Sequence, residues 1–357
     1  MNRKRGLRAA QSAPQHGQII ILTVLILALG TGFLIYSMAG LRSIDYIKGA
    51  KTDAALTMAK EALIGRAVAD SNHPGSLPCP DTNDDGTAEI FSGNACPSYI
   101  GRLPWKTLEL PDLRDGDGER LWYMLAPAFR DNPAVEPLNT DTIGNITIYS
   151  GNNSTTLTTR AAAVIFAPGN PIGTQVRSST QSAACAVPLS ASIFQSLCAG
   201  NYLESVSGVN NANATGPYIS APPTATFNDR LIVIDSVDLM TAAETRAARE
   251  ILKALQGYKA GSGGFCDCYP WADISDGIAN DGLIYGRVPL ISADTGHFND
   301  WSNAGVTIPQ WLIDNNWRWV FFYTVAPNQT YDHNSGSLTV DGVSGKYVVL
   351  ISTGAAT

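Results

Sequence analysis

The sequence predicts an α+β fold: a long N-terminal transmembrane and amphipathic helix, then two tandem modules that each lay a helix on an antiparallel sheet. Three observations predict it. An uncharged apolar stretch at residues 18–41 runs on, without a proline, to Pro74. Short apolar runs bounded by turn residues read as antiparallel strands. Three segments of the first half recur in the same order in the second, as a duplicated unit would.

The helix comes first. Residues 18–41 (QIIILTVLILALGTGFLIYSMAGL) carry no charge, and as a helix they would extend roughly 36 Å, enough for a bilayer. The preceding residues 1–17 hold Arg3, Lys4, Arg5 and Arg8 and no acid. Such a leader stays cytoplasmic, which predicts a single-pass inner-membrane protein with its C-terminal region in the periplasm. A cleaved secretory signal is the alternative, but the apolar run is too long for one and lacks a small-residue cleavage site at its end. Beyond Arg42 the composition favours helix. Ile44, Ile47, Ala55, Met58, Ala62 and Ala69 recur at near-helical spacing as a weakly apolar stripe. A helix, a flexible linker and an unrelated domain is the competing account, with Gly40, Gly49 and Gly65 as its breaks.

The modules span 42–236 and 237–357. Lys60-Glu61-Ala62-Leu63 matches Arg249-Glu250-Ile251-Leu252, Gly101-Arg102-Leu103-Pro104 matches Gly286-Arg287-Val288-Pro289, and LWYMLAP (121–127) matches FFYTVAP (321–327). The offsets of 189, 185 and 200 require only small insertions. Strands are expected at Leu121–Leu125, Asn145–Tyr149, Ala162–Phe166 and Leu231–Ile234, then at Trp319–Val325, Leu338–Val340 and Tyr347–Ile351. Turn signals such as Pro168-Gly169-Asn170 and Asp341-Gly342 separate them. A helix on such a sheet is the α+β layer arrangement. The second helix is expected to start at the capping box Thr241-x-x-Glu244, to bury Ala243, Ala247, Ile251, Leu255 and Tyr258, and to pack only on its own sheet. Residues 201–228, rich in Asn, Ser, Thr, Ala and Pro, read as an exposed loop.

Composition narrows the function. The 357 residues are 45% hydrophobic and 15% charged, with a formal charge of −7 and no basic tract after residue 8. That excludes a nucleic-acid partner, which requires clustered Lys and Arg. Enzymatic signatures are lacking: His16, His73, His297 and His333 show no HExxH spacing, and there is no GxSxG elbow or GxxxxGK[ST] loop. The chain reads as a non-enzyme, although a carboxylate-pair hydrolase has many acids to draw on.

Asp81-x-Asn83-x-Asp85-Gly86 has the opening spacing of a calcium loop, with Ser92 at the twelfth position and Glu89 as a substitute ligand. Asp115, Asp117 and Glu119, beside Asp112, form a second calcium candidate, whose later counterpart would be Asp273, Asp276, Asn280 and Asp281. The plainer account is that Asp, Asn and Gly build turns. Six cysteines fit an oxidising compartment. Cys79 with Cys96 and Cys185 with Cys198 suit local loop-closing disulfides. Cys266 and Cys268 would form a strained bridge, pair at a distance, or hold zinc. Trp301, Trp311, Trp317 and Trp319 with Phe321, Phe322 and Tyr323 form an aromatic-rich region, either a strand core or a glycan-binding face.

A basic leader ending in His16-Gly17, an apolar helix from Gln18 and an amphipathic continuation resemble the type IV pilin and type II secretion pseudopilin superfamily. The resemblance implies cleavage after Gly17 by a prepilin peptidase, methylation at Gln18, and partnership with other pilins through the N-terminal helix. Most members carry Glu at the fifth mature position, where this chain has Leu22. That departure implies a minor subunit, at a filament tip or in assembly initiation. GSLPCPD (75–81), the run 101–123 and NDRLIVID (228–235) further resemble bacterial prepilin-like pilus-assembly proteins. The function implied is a structural minor pilin or pseudopilin of a type IV pilus or type II secretion pseudopilus, with a pilus-tip adhesin that binds a surface ligand or an unassembled membrane-tethered periplasmic protein as alternatives. Calcium-bound loops in some pseudopilins add to the calcium expectation.

Overall fold

Helix-favouring residues uninterrupted by proline produce one α-helix, α1 (His16–Ala69). The computed structural model describes residues 16–131, 136–153, 155–185, 193–262, 267–293, 300–327, 329–330, 333–334 and 336–354, without the side chains of 16–30, 32–43, 193, 329–330 and 333–334. The chain divides into two compact units, residues 1–51 and 52–357. In the larger unit α1 buries Ala55, Leu56, Ala59, Leu63 and Ala67. The expected stripe is therefore rotated: Met58 is exposed, and the small Ala59 and Ala67 face the core, where they admit close packing.

Apolar runs between turns form the strands. In the larger sheet β1 (Ile100–Arg102), β2 (Trp122–Leu125) and β4 (Thr156–Ala167) lie side by side, and β3 (Ile146–Ser150) follows β4. The strand Tyr218–Ser220 runs parallel to β3, and Arg230–Asp235 pairs antiparallel with β4. A smaller antiparallel sheet orders Tyr285–Arg287, Phe321–Val325 and Val348–Ser352. Helix α2 (Ser236–Gly261) starts five residues before the expected capping box. Asp235 is its cap, accepting the amide of Val237 at 3.0 Å. A five-residue α3 (Gln310–Asp314) completes three α-helices among the described residues.

The fold is thus mixed α/β, mostly sheet, and this corrects the expected architecture. Among the described residues no helix is long and apolar enough to cross a membrane. The described part of α1 carries Asp45, Lys48, Lys51, Asp53, Lys60, Glu61 and Arg66, and α2 is charged along its outer face. The expected transmembrane span, and with it the single-pass inner-membrane placement, is overturned. Gly17, Gln18 and Leu22 lie on the backbone of α1, with side chains outside the described residues. Nor does each helix serve a sheet of its own. Helix α2 lies against β4 and Arg230–Asp235 of the larger sheet, and one continuous core joins Leu63 and Phe166 to Ile251, Trp317 and Tyr323.

Residues 201–228 are likewise no exposed loop. They contain three short strands and bury Tyr202, Leu203, Val209, Asn211, Tyr218, Ile219 and Phe227. Asn211 explains why: its side-chain amide accepts from Ile219 N (2.8 Å) and donates to Ile219 O (3.1 Å), standing in for a strand neighbour.

Inside the common core the repeated segments take the same local form. Gly101 pairs with Tyr123, and Gly286 with Tyr323. The Tyr123 hydroxyl donates to Pro78 O (3.3 Å), and that of Tyr323 to Pro270 O (2.9 Å). Leu125 N donates to Tyr99 O, and Val325 N to Ile284 O.

Candidate functional site

Each repeated strand pair carries an aspartate loop on its edge. Asp81 and Arg102 exchange backbone hydrogen bonds (3.0 and 2.6 Å), as do Asp273 and Arg287 (2.9 and 2.7 Å). The buried Asp81 carboxylate accepts the amides of Asn83 (3.0 Å), Asp84 (2.7 Å) and Gly86 (2.7 Å). Asp273 accepts those of Ser275 (2.9 Å), Asp276 (3.2 Å) and Gly277 (2.9 Å). The two loops are counterparts, so Asp273 corresponds to Asp81 and not to the Asp115 cluster.

These bonds explain the calcium-like spacing. Asn83 accepts the amide of Asp85, and Asp85 that of Thr87, as successive side-chain-to-backbone turns. Glu89 accepts from the amide and hydroxyl of Thr82. Buried Asp115 accepts the amides of Asp117, Glu119 and, across the fold, Gly169, each at 2.9 Å. Glu119 pairs with Arg177 at 3.0 Å. Among the described residues none of these carboxylates joins two others around a common point. Asp81, Asp85 and Asp115 spend carboxylate oxygens on backbone amides, while Glu119 is engaged by Arg177. Two disulfides, Cys79–Cys96 and Cys185–Cys198, join positions 17 and 13 apart in sequence and close short loops beside this framework. Cys268 is also disulfide-bonded, while Cys266 lies outside the described residues.

The flank of each loop is where the halves differ. Arg102 is buried, with its guanidinium 4.4 Å from the Trp122 ring and 4.0 Å from the Tyr202 ring. Arg177 also lies over the Tyr202 ring, at 4.4 Å. Arg102 donates to Arg120 O (3.0 Å) and to Ser196 O (3.1 Å), so residues 196–202 close the stack. Arg120 fastens it from outside by a two-pronged bond to Asp112 (2.8 and 3.0 Å), which pulls the Asp112 pKa down against its partial burial.

In the second half Arg287 lies 4.0 Å from the Phe322 ring and donates to Trp319 O (2.7 Å), the equivalent of the Arg102 arrangement. Arg287 also lies 5.5 Å from the Trp319 ring, a looser contact than the 4.0 Å one that Tyr202 makes with Arg102. Tyr285, Phe322, Ile351 and Ile274 are exposed around an apolar groove of about 480 Å³. This is a stacking surface with a cation at its edge, suited to a flat or ring-bearing ligand. Of the aromatic-rich region, Trp301, Trp311, Trp317, Phe321 and Tyr323 belong to the core, and only Trp319 and Phe322 are open.

Sequence reasoning missed a pair of acids. Asp229 accepts the Glu204 amide (2.9 Å) and Asn211 Nδ2 (3.0 Å) with Oδ2, while its buried Oδ1 has no partner. Glu204 accepts Gln175 Nε2 (2.7 Å) and Asn228 N (2.9 Å). Burial, then the charge of Glu204, pushes the Asp229 pKa well above the usual carboxylate range. Burial likewise raises Asp81 from 3.8 to about 6, outweighing its amide bonds. Both folded-state values exceed the unfolded ones, so the folded protein holds these protons more tightly. Their contribution is full below the ordinary value of 3.8 and, for Asp81, is lost as pH rises through about 6. Asp229→Asn, which supplies a neutral amide where the acid keeps its proton, is expected to leave stability unchanged at acid pH. In alkaline buffer it should raise the urea midpoint above wild type. A parallel pH profile for variant and wild type would contradict this assignment.

No protein-family profile, curated protein or solved structure matches this chain.

Proposed function

We propose that this chain is a non-catalytic assembly subunit of the type IV pilin and pseudopilin class, of the minor kind, joined to its filament by α1. The observation that carries the reading is the division of labour along that helix. The compact unit takes its helical core face from Ala55 to Ala67, whereas the uncharged residues 18–41 belong to the other unit. An uncharged apolar sequence in a helix gains by packing against apolar side chains, and equivalent helices of neighbouring subunits would supply them. Leu22 offers no carboxylate to a neighbour's terminal amine, which fits a position at the end of a filament rather than along it.

Mass spectrometry of protein from the native host tests the reading. The expected mature chain begins at a methylated Gln18, and a photo-crosslinker at position 26 captures other pilin-like subunits. An intact Met1 together with no such crosslink would overturn it.

A second reading, a tip subunit that binds a surface ligand, is favoured by the open face beside Arg287. Replacing both Tyr285 and Phe322 with Ser leaves the core intact. Loss of adhesion with filaments preserved supports this reading, and unchanged adhesion opposes it.

A further inference from the structure

Helix α1 ends in a turn that gathers three side chains unrelated to the aspartate loops. Asp70, His73 and Asp131 each bring one ligand atom, and these atoms all lie within 4.8 Å of one another. Their positions are fixed by the backbone. Asp70 Oδ1 accepts the amides of Asn72 (2.9 Å) and His73 (2.8 Å). Leu77 N donates to Phe129 O (2.7 Å) and Asp131 N to Leu77 O (3.0 Å), which sets Asp131 beside the turn. Asn315 Nδ2 donates to Asn72 O (2.8 Å), and Arg246 donates to the carbonyls of Val68 and Asp70. The turn that carries Asp70 and His73 and the backbone at Asp131 are therefore held together before anything binds.

His73 supplies the second, independent observation. It is 9% exposed, and its buried Nδ1 has no hydrogen-bond partner. Leaving such a group unpaired costs about 1–3 kcal/mol. A neighbouring cation relieves that cost and the repulsion between the two carboxylates. Arg66 answers only part of the demand: its guanidinium lies 3.0 Å from Asp70 Oδ2 and 3.6 Å from Asp131 Oδ2. Its side chain is 37% exposed, so it is free to turn into solvent.

We infer that Asp70, His73 and Asp131 form a three-ligand site for a divalent transition-metal ion, zinc being the best match to one imidazole and two carboxylates. The remaining coordination position goes to water, and Arg66 leaves the carboxylates as the ion enters. The site stands independently of the pilin reading.

Zinc titration of the full-length, chelator-stripped protein tests the site, with calorimetry and the unfolding midpoint as readouts. One ion per chain is expected, with a rise in the midpoint on loading. His73→Gln, which keeps the side-chain volume, and Asp131→Asn are each expected to weaken binding at least about tenfold. Arg66→Gln removes a competing cation and is expected to tighten binding about tenfold. No zinc binding in the wild type overturns the site, as does binding that His73→Gln leaves unchanged. Circular dichroism of each variant separates lost ligation from lost folding.

Discussion

Gly101→Ala and Gly286→Ala are each expected to lower the thermal unfolding midpoint by about 4–5 °C, corresponding to roughly 3 kcal/mol. A Cβ at Gly101 would sit 2.4 Å from the Asp81 carbonyl oxygen, and one at Gly286 would sit 2.2 Å from that of Asp273. Those carbonyls accept from Arg102 N and Arg287 N, so neither moves without breaking the bond that anchors the aspartate loop. The obstacle is backbone and has no rotamer to escape into. Gly65→Ala is the internal control: nothing lies within 4 Å of its added Cβ, and it sits inside α1. There alanine is expected to stabilise by about 0.5–1 kcal/mol. Differential scanning calorimetry of the three variants decides the matter. Midpoints for Gly101→Ala and Gly286→Ala equal to that of the control would refute the close-approach argument.

The same two glycines show what the sequence made legible. GRLP and GRVP recur because a strand must pass a carbonyl here and its arginine must lie along an aromatic ring, and both demands are local. The strands at 122–125, 146–150, 230–235, 321–325 and 348–352 were legible for a related reason, as apolar runs bounded by turns. Residues 201–228 were not. Their burial is satisfied by Asn211, Glu204 and Asp229, residue types that composition assigns to loops. The acidic spacing at Asp81 is ambiguous in sequence because an aspartate that caps three amides leaves the same pattern as one that binds an ion. His73 carried no signal, since its partners Asp70 and Asp131 are gathered by a loop and a strand-like pairing that spacing alone does not reveal.

A chain ending at residue 236 is expected not to fold, in contrast to the separable modules that the duplication suggests. Its larger sheet would lose α2, and with it the buried Leu239, Met240, Ala243, Ala247 and Ile251. The carbonyls at the end of α1 would lose Arg246, whose guanidinium also lies 4.9 Å from the Trp311 ring. The fully buried Asn315 ties the halves most tightly, accepting Leu138 N (2.9 Å) on Oδ1 and donating to Asn72 O (2.8 Å) through Nδ2. Each orphaned backbone group carries a desolvation penalty, so Asn315→Ala alone is expected to cost about 2–4 kcal/mol. Chemical denaturation measures both: the fragment 1–236 should show no cooperative transition, and Asn315→Ala should shift the wild-type midpoint without splitting it. A fragment that unfolds cooperatively, or an Asn315→Ala profile with two transitions, would mean that the halves hold separate cores. The duplication would then survive as two domains, whereas a single transition means that the copies have merged, with the second completing the core of the first.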